Sequence, residues 1–277
     1  MASDATVSVV IPCYNHGHFL NEAIPSVEHA GATKYEIIVV NDGSTDSGTL
    51  EIIKNLEARG YNVINQANQG LSASRNNGIR AASGRYILTL DADNKVKPTY
   101  MEQARAVLDK NDEVGVVYSD FIYFGDKSYT KRLRDFSFPH LLASNYIDAC
   151  AVFRKSVWEQ CGGFDVNLKT GHEDWEFWIS VAERGWKFHH LKEPLFYYRV
   201  RGNAMTSQMM RPETFHESTH YIFAKHLDTL RSEYIKYVQW ETESAMMRRS
   251  PIAVLGRLFL QAYLPSIRDW YRQHFVR

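Results

Sequence analysis

Three short runs rich in β-branched residues decide the fold: VSVVIP at Val7–Pro12, YEIIVVN at Tyr35–Asn41 and RYILTL at Arg85–Leu90. Continuous apolar runs of this length are typical of strands covered on both faces, as in a parallel sheet. A helical pattern at His18–His29 separates the first two runs, and helical patterns at Asp46–Arg59 and Ser72–Ala82 lie between the second and the third. This alternation predicts an α/β fold with a Rossmann-like, mainly parallel sheet flanked by helices.

The second half of the chain is patterned less regularly. The stretch DKSYTKRLRD at Asp126–Asp135 is polar and basic, which predicts a loop. From Arg211 onward the pattern is helical, with apolar residues at three- and four-residue steps on one face. We therefore expect one domain over residues 1–207 and a helical C-terminal extension over residues 208–277.

Composition narrows the class of protein. The chain has 277 residues, and its 32 basic and 32 acidic side chains cancel, so no bulk field draws it to nucleic acid. Three cysteines without a CxxC pair predict neither a disulfide framework nor a zinc site. We find no signal-peptide pattern and no run of the ~20 apolar residues that a spanning helix needs. We therefore expect a cytoplasmic protein.

Polar clusters follow each predicted strand, where ligands bind to a doubly wound sheet. An acid can accept a hydrogen bond from a base, an aromatic ring can stack, an arginine can pair with phosphate, and paired acids can hold a divalent cation. The candidates, in chain order, are Pro12, Tyr14 and Asn15, then Asp42, then Gly70 and Arg75, then Asp91 and Asp93.

Each cluster also has a plain structural explanation. Asp42-Gly43-Ser44 is compatible with a turn and helix cap, and Asp91-Ala92-Asp93 with a solvated turn. Arg75 on a helix is compatible with a surface residue. A later acidic pair, Glu173-Asp174, is compatible with an acidic first helical turn.

Taken together, five motifs resemble the family 2 glycosyltransferases, which are inverting enzymes with the GT-A fold. They are VSVVIPCYN, EIIVVNDGSTD, NQGLSASRNNGI, LTLDADN and GHEDWEFW, and the likeness spans Val7 to Ser207. The resemblance implies a GT-A domain with a nucleotide-binding half at about residues 1–95 and an acceptor-binding half at about residues 96–207.

The resemblance also implies a role for each candidate. Pro12, Tyr14 and Asn15 would line the nucleotide pocket, Asp42 would bind the base, and Gly70 and Arg75 would flank the ribose and diphosphate. Asp91 and Asp93 match the DxD motif, in which the last Asp binds Mg²⁺ or Mn²⁺ and the first contacts the sugar or ribose. Asp174 would be the acceptor base, with Glu173 as its competitor.

These roles agree with the chemistry of glycosyl transfer. A divalent cation neutralises the departing diphosphate, and a few carboxylates plus phosphate oxygens suffice to hold it. A carboxylate base takes the acceptor proton, and a single displacement inverts the anomeric centre. The expected donor is a nucleotide-sugar, a UDP-sugar by default, and the expected acceptor is a glycan or lipid-linked hydroxyl.

Two positions depart from the family pattern. Asn94 stands where many relatives carry a further acid, and Arg201 stands where relatives often have a histidine. An arginine cannot bind a metal, but Arg199 and Arg201 can clamp phosphate. The alternative, that both are surface residues, stays open at this point.

Other functions fit the sequence less well. A sugar-1-phosphate nucleotidyltransferase needs a Gly-rich phosphate loop after the first strand, and a dinucleotide oxidoreductase needs GxGxxG there. The chain has neither at Cys13–His18. A catalytically inactive sugar-nucleotide-binding or scaffold module remains the alternative, although the four aspartates of the motifs argue against it.

The last predicted helix carries Arg257, Gln261, Arg268 and Arg272 along one face, three of them basic. A basic amphipathic helix can lie on anionic lipid. We therefore expect peripheral association with the inner face of a membrane, or self-association, through this segment. The alternative is a helix packed on its own domain.

Overall fold

Strands and helices alternate along the first half of the chain. The computed structural model describes residues 6–29, 33–169, 171–202 and 211–249. The strands are β1 (Val7–Cys13), β2 (Tyr35–Asp42), β3 (Asn62–Gln66), β4 (Tyr86–Thr89), β5 (Lys95–Val96), β6 (Val114–Gly125), β7 (Tyr129–Lys131), β8 (Val152–Arg154) and β9 (Lys187–Val200). The helices are α1 (Gly17–Glu28), α2 (Ser47–Ala58), α3 (Leu71–Ala81), α4 (Tyr100–Lys110), α5 (Phe138–Ala143), α6 (Lys155–Cys161), α7 (Glu173–Glu183), α8 (Pro212–Lys225) and α9 (Leu227–Arg249).

Across the described residues the strands form one sheet in the order β3-β2-β1-β4-β8-β6-β9-β5, with β7 paired to β6. The pairs β3–β2, β2–β1, β1–β4 and β6–β9 are parallel, whereas β8, β5 and β7 run antiparallel to their neighbours. The predicted mixed, mainly parallel sheet with flanking helices is confirmed.

The sheet is buried where the sequence is continuously apolar. Every residue of β1 and β4 is buried, as expected for strands covered on both faces. Helix α3 packs closely on one face through Gly78. A Cβ at that position would lie 2.4 Å from Val10 Cγ1 and 3.0 Å from Val40 Cγ2.

Gly78→Ala is therefore expected to lower the free energy of unfolding by about 1–3 kcal/mol, because the added methyl overpacks the contact with the sheet. Gly48→Ala is the matched control, since Gly48 is an exposed residue of α2 with only Asp46 Oδ2 nearby, at 3.5 Å. It should leave stability unchanged or raise it by up to about 1 kcal/mol. Urea denaturation of both variants measures the difference, and equal stability would contradict the close contact.

The loop prediction for Asp126–Asp135 is wrong at its centre, where β7 pairs antiparallel with β6. Two features that the polar composition does not reveal stabilise this hairpin. The rings of Tyr123 and Tyr129 pack with their centroids 4.6 Å apart, and Gly125 adopts a φ of 93°, which glycine takes up readily at a turn.

The chain divides into two compact units, and the division falls after Lys225. Helix α8 belongs to the first unit, where Lys225 Nζ lies 2.5 Å from Asp165 Oδ2 and 2.9 Å from Glu176 Oε1. Helix α9 belongs to the second unit. The predicted boundary after residue 207 stays a prediction, and the predicted basic helix with Arg257 and Arg272 lies outside the described residues.

No helix in the described part of the chain is both long enough and apolar enough to cross a membrane.

Candidate functional site

A cavity of about 350 Å³ opens where β1, β2 and β4 end. In a sheet with this strand order, the loops after β1 and β4 part at a topological switch point, which leaves a crevice for ligands. Eight of the predicted residues line the cavity: Pro12, Tyr14, Asp42, Gly70, Asp91, Asp93, Arg199 and Arg201. The other predicted residues, Asn15, Arg75, Glu173 and Asp174, do not line it but contact neighbouring groups.

The residues after β1 divide between lining and support. Tyr14 is 46% exposed at the cavity, so it is not a core residue. Asn15 has a φ of 55°, and its Oδ1 accepts hydrogen bonds from the amides of Thr45 and Asp46 at 2.8 and 3.0 Å. Asn15 thus joins the loop after β1 to the loop after β2, and its predicted contact with the nucleotide stays a prediction.

Asp42 is a buried acid that organises the cavity edge. Its Oδ1 accepts hydrogen bonds from the amide of Gln69 and from Gln66 Nε2, both at 2.8 Å, and its Oδ2 accepts from the amide of Gly70 at 2.9 Å. The cap of α2 is Asp46, whose Oδ2 accepts from the amide of Thr49. The alternative interpretation of Asp42 as the cap of this helix is therefore wrong.

Arg75 lies beneath the cavity rather than on its surface. Its side chain is 1% exposed, and its Nη2 lies 2.6 Å from Asp91 Oδ1 while its Nη1 donates to Glu173 Oε1. Arg75 thus connects the loop after β4 to the start of α7. The alternative interpretation of Arg75 as a surface residue is therefore wrong. Its predicted contact with a diphosphate stays a prediction.

The DxD segment is held by two arginines from the end of β9. Arg201 Nη2 lies 2.7 Å from Asp93 Oδ2. Arg199 Nε donates to the carbonyl of Asp93 at 2.9 Å, and Asn94 Oδ1 accepts from the amide of Arg199 at 2.9 Å. The side chains of Arg199 and Arg201 are only 14% and 21% exposed, so neither is a free surface residue.

The two acids of the DxD segment offer a partial ligand set for a cation. Burial raises the pKa of Asp93, and the neighbouring Asp91 adds to this, while Arg201 opposes it. Each acid uses one oxygen in its ion pair, and the second oxygen makes no hydrogen bond to the described residues. No group of three or more metal-ligating side chains occurs in residues 6–29, 33–169, 171–202 and 211–249. The set fits a hard cation shared with substrate phosphates, not a preformed all-protein site.

The two acids at the start of α7, Glu173 and Asp174, have different hydrogen-bonding partners. Glu173 is 4% exposed and is bound to Arg75. Asp174 Oδ1 accepts hydrogen bonds from the amide of Trp175 at 2.7 Å and from Asn145 Nδ2 at 3.1 Å. Burial raises the pKa of Asp174 well above its usual range, and the charges of Glu173 and Asp148 add to this. Both acids keep one carboxylate oxygen without a hydrogen bond to the described residues. Asp174 differs from Glu173 because it lies outside the ion pair with Arg75, and its affinity for a proton is high.

Sequence reasoning missed several residues at the site. His16 and Lys169 line the cavity, and Lys169 forms no ion pair with a described carboxylate. Burial raises the pKa of Asp148 to about 7, and the charge of the nearby Asp91 adds to this. Asn145 holds Asp174. Residues 145–169 lack a clear periodic pattern, so no local signal placed three of these residues at the site.

The fold and the cavity define an α/β protein with an acidic, arginine-lined site at the switch point of its sheet. The chain belongs to the glycosyl transferase family 2, whose sequence profile matches residues 8–166.

Named relatives agree with this family. The chain is 27% identical over 266 residues to the putative glycosyltransferase EpsE of Bacillus subtilis, with 93% of this chain and 94% of EpsE covered. It is 29% identical over 222 residues to an uncharacterized glycosyltransferase of Haemophilus influenzae, with 73% and 67% covered. With the glycosyltransferase GlyA of Streptococcus pneumoniae it shares 29% identity over 229 residues, but spans only 32% of GlyA's length.

Solved structures share the fold. The crystal structure of S. aureus TarS 1–349 in complex with UDP-GlcNAc superposes with a TM-score of 0.67 at 20% identity, covering 80% of this chain and 66% of that one. The expected GT-A fold is confirmed.

Proposed function

We propose that this chain is an inverting glycosyltransferase that moves a sugar from a UDP-sugar to an acceptor hydroxyl. The observation that carries the proposal is a connection between the donor-sized acidic cavity and Asp174. The buried Arg75 binds Asp91, which lines the cavity, and also Glu173, which is the residue next to Asp174. A protein of the same fold has been solved with UDP-GlcNAc, which supports a uridine donor.

The donor nucleotide would occupy the end of the cavity formed by Pro12, Tyr14 and Asp42. Tyr14 is exposed enough to stack on a base, and Asp42 can accept a base N–H. Asn15 would act indirectly by fixing the loop that carries Tyr14. Gly70, with a φ of 90° and open space where a Cβ would lie, allows the ribose to approach the backbone.

The diphosphate would lie over Asp91, Asp93, Arg199 and Arg201. Asp93 and Asp91 would hold Mg²⁺ or Mn²⁺ together with the diphosphate oxygens, and the ion would neutralise the leaving group. Because Arg201 binds Asp93 in the structure, we infer that Arg201 turns from this carboxylate to the phosphate when the donor enters. The guanidinium suits phosphate better than a histidine does.

Asp174 would accept the proton of the acceptor hydroxyl. Its Oδ1 is fixed by Asn145 and Trp175, which leaves Oδ2 to receive the proton. With Asp174 as the base and no covalent intermediate, a single displacement would invert the anomeric centre. Glu173 would instead be the counter-ion that holds Arg75.

The acceptor would be a glycan or a lipid-linked hydroxyl in polysaccharide, glycan or glycolipid assembly. Docking on the inner face of a membrane or self-association through Arg257, Arg268 and Arg272 would suit such an acceptor. That segment lies outside the described residues, so cytoplasmic location and peripheral binding stay predictions of the sequence.

The test is release of UDP from a panel of UDP-sugars by the purified chain with Mn²⁺. We expect slow hydrolysis of one donor, since water can replace the acceptor. Tight binding without release of UDP from any donor, even after acceptor glycans are added, would instead support the inactive binding module.

Binding of UDP should depend on a divalent cation through Asp93. Calorimetric titration of wild type is expected to show affinity at least about tenfold higher with Mn²⁺ than without it, because the ion bridges carboxylate and diphosphate. Asp93→Ala should reduce this ratio to less than about twofold.

Asp112→Ala is the matched control for that titration, because Asp112 is a fully exposed acid that does not line the cavity. It should behave like wild type. Equal affinity of wild type with and without Mn²⁺ would remove the metal from the proposal.

A further inference from the structure

A second cavity, of about 620 Å³, lies beside β6, β7 and β9 and shares no lining residue with the donor cavity. Thr130 of β7 and the continuous segment 132–135, which includes Arg132 and Arg134, line one part. His190 and Lys192 of β9 line another, with the buried Asp120 of β6. Its volume lies in the range of small-molecule sites.

The acids of this cavity already have hydrogen-bonding partners. Asp120 Oδ1 lies 2.8 Å from His190 Nε2 and accepts the amide of Leu133 at 2.8 Å. Asp135 lies 2.8 Å from Lys192 Nζ and 3.3 Å from His190 Nδ1. The ring of His190 stacks on Tyr118 with centroids 4.8 Å apart, and its side chain is 4% exposed, so this part of the cavity is well packed.

The two arginines of the cavity have no such partner. Neither Arg132 nor Arg134 forms an ion pair with a carboxylate of the described residues. The guanidinium of Arg134 lies only against the ring of Tyr146, at 5.9 Å. Two guanidinium groups that face one cavity without counter-ions favour an anion there, and their donor geometry matches phosphate oxygens.

The cavity is connected to the proposed base. Tyr118 Oη donates to the carbonyl of Arg134 at 2.8 Å, and Arg134 contacts Tyr146. The residue before Tyr146 is Asn145, whose Nδ2 donates to Asp174 Oδ1 at 3.1 Å. The segment that bears the arginines is therefore linked, through one pair of adjacent residues, to the carboxylate that would receive the acceptor proton.

We propose that this cavity binds a phosphodiester group of the acceptor, so that the acceptor is a phosphate-bearing polyhydroxylated molecule. The assignment to the acceptor rests on the proposed function, whereas binding of a phosphodiester in the cavity does not. Arg132 and Arg134 hold the phosphate, whereas Lys192 is paired with Asp135.

The test uses glycerophosphoglycerol as the probe, because it joins a phosphodiester to free hydroxyl groups. It is titrated into the full chain without nucleotide or metal, beside inorganic phosphate and the neutral analogue diglycerol. We expect glycerophosphoglycerol to bind more tightly than inorganic phosphate, and diglycerol not to bind. Binding of diglycerol as tight as that of the phosphodiester, or tighter binding of inorganic phosphate, overturns the proposal.

The variant R132Q/R134Q should weaken binding of glycerophosphoglycerol at least about tenfold, since two charge-assisted contacts are lost. The matched control K127Q/K131Q removes the same charge from the same hairpin at residues that do not line the cavity. It should weaken binding less than about twofold, because exposed charges that do not contact the ligand are largely screened by solvent and salt. Equal losses in the two variants would overturn the proposal.

Two further measurements keep the outcome clear. Thermal melting and UDP titration of each variant should match wild type. If R132Q/R134Q melts early, the single variants R132Q and R134Q decide, and unchanged affinity in both overturns the proposal. Failure of wild type to bind UDP would count against the proposed function. It would not affect the conclusion on phosphodiester binding, which does not depend on the nucleotide.

Discussion

Asp174→Asn is expected to lower the rate of sugar transfer by about 10²–10⁴ while the Kd of the donor changes by less than about twofold. The substitution keeps the shape of the side chain and removes its basicity. Asn145 and the amide of Trp175 can still donate to the side-chain oxygen, so the local structure should persist. Transfer rate and donor affinity are measured on the same preparation, once an acceptor is known.

Glu173→Gln separates chemistry from structure. Glu173 is 4% exposed and binds Arg75, so its neutral variant should lose stability and cost less in transfer rate than Asp174→Asn. Near-normal transfer by Asp174→Asn would remove Asp174 from the mechanism. A parallel loss of donor binding would make it a structural residue instead.

The dependence of transfer on pH tests the same assignment. The pKa of Asp174 is raised by burial and by the charges of Glu173 and Asp148, and a base works only when it is deprotonated. Activity should therefore be lost as the pH falls through a range well above the ordinary aspartate value of about 4. Asp148→Asn removes one of the negative charges and should move this acidic limb to lower pH.

Arg75→Met is expected to lower the free energy of unfolding by about 3–5 kcal/mol, because it leaves two carboxylates near the core without their shared counter-ion. The arginine is 1% exposed and bound to Asp91 and Glu173. Methionine keeps much of its length and apolar bulk, so the loss reports the charge. Urea denaturation followed by tryptophan fluorescence gives the value.

Arg80→Met is the matched control, since Arg80 is an exposed residue of the same helix α3. It should change stability by no more than about 0.5 kcal/mol. If Arg75 instead contacts the diphosphate, Arg75→Met would keep its stability and lose affinity for UDP. That result would restore the role that the family resemblance implies.

The sequence by itself determined the strands and the polar clusters at their ends. An apolar β-branched run and the polar cluster behind it are local features, so VSVVIP with Tyr14, YEIIVVN with Asp42 and RYILTL with Asp91 could be found by pattern. The order of parallel strands then brings their carboxyl ends together. Six candidates line one cavity for this reason, and Arg199 and Arg201 join them from the end of β9.

Only the tertiary structure decided which candidates are buried and with what they pair. The partners of Arg75 and Arg201 lie far along the chain: Arg75 binds Glu173 over 98 residues, and Arg201 binds Asp93 over 108. Glu173 and Asp174 likewise differ in their partners through contacts with distant residues, Arg75 for the first and Asn145 for the second. Burial and ion pairing depend on contacts between distant segments, and no local pattern of residue types encodes them. The arginine-lined second cavity stayed hidden for that reason, since DKSYTKRLRD predicts only a polar loop until β6 and β9 are placed beside it.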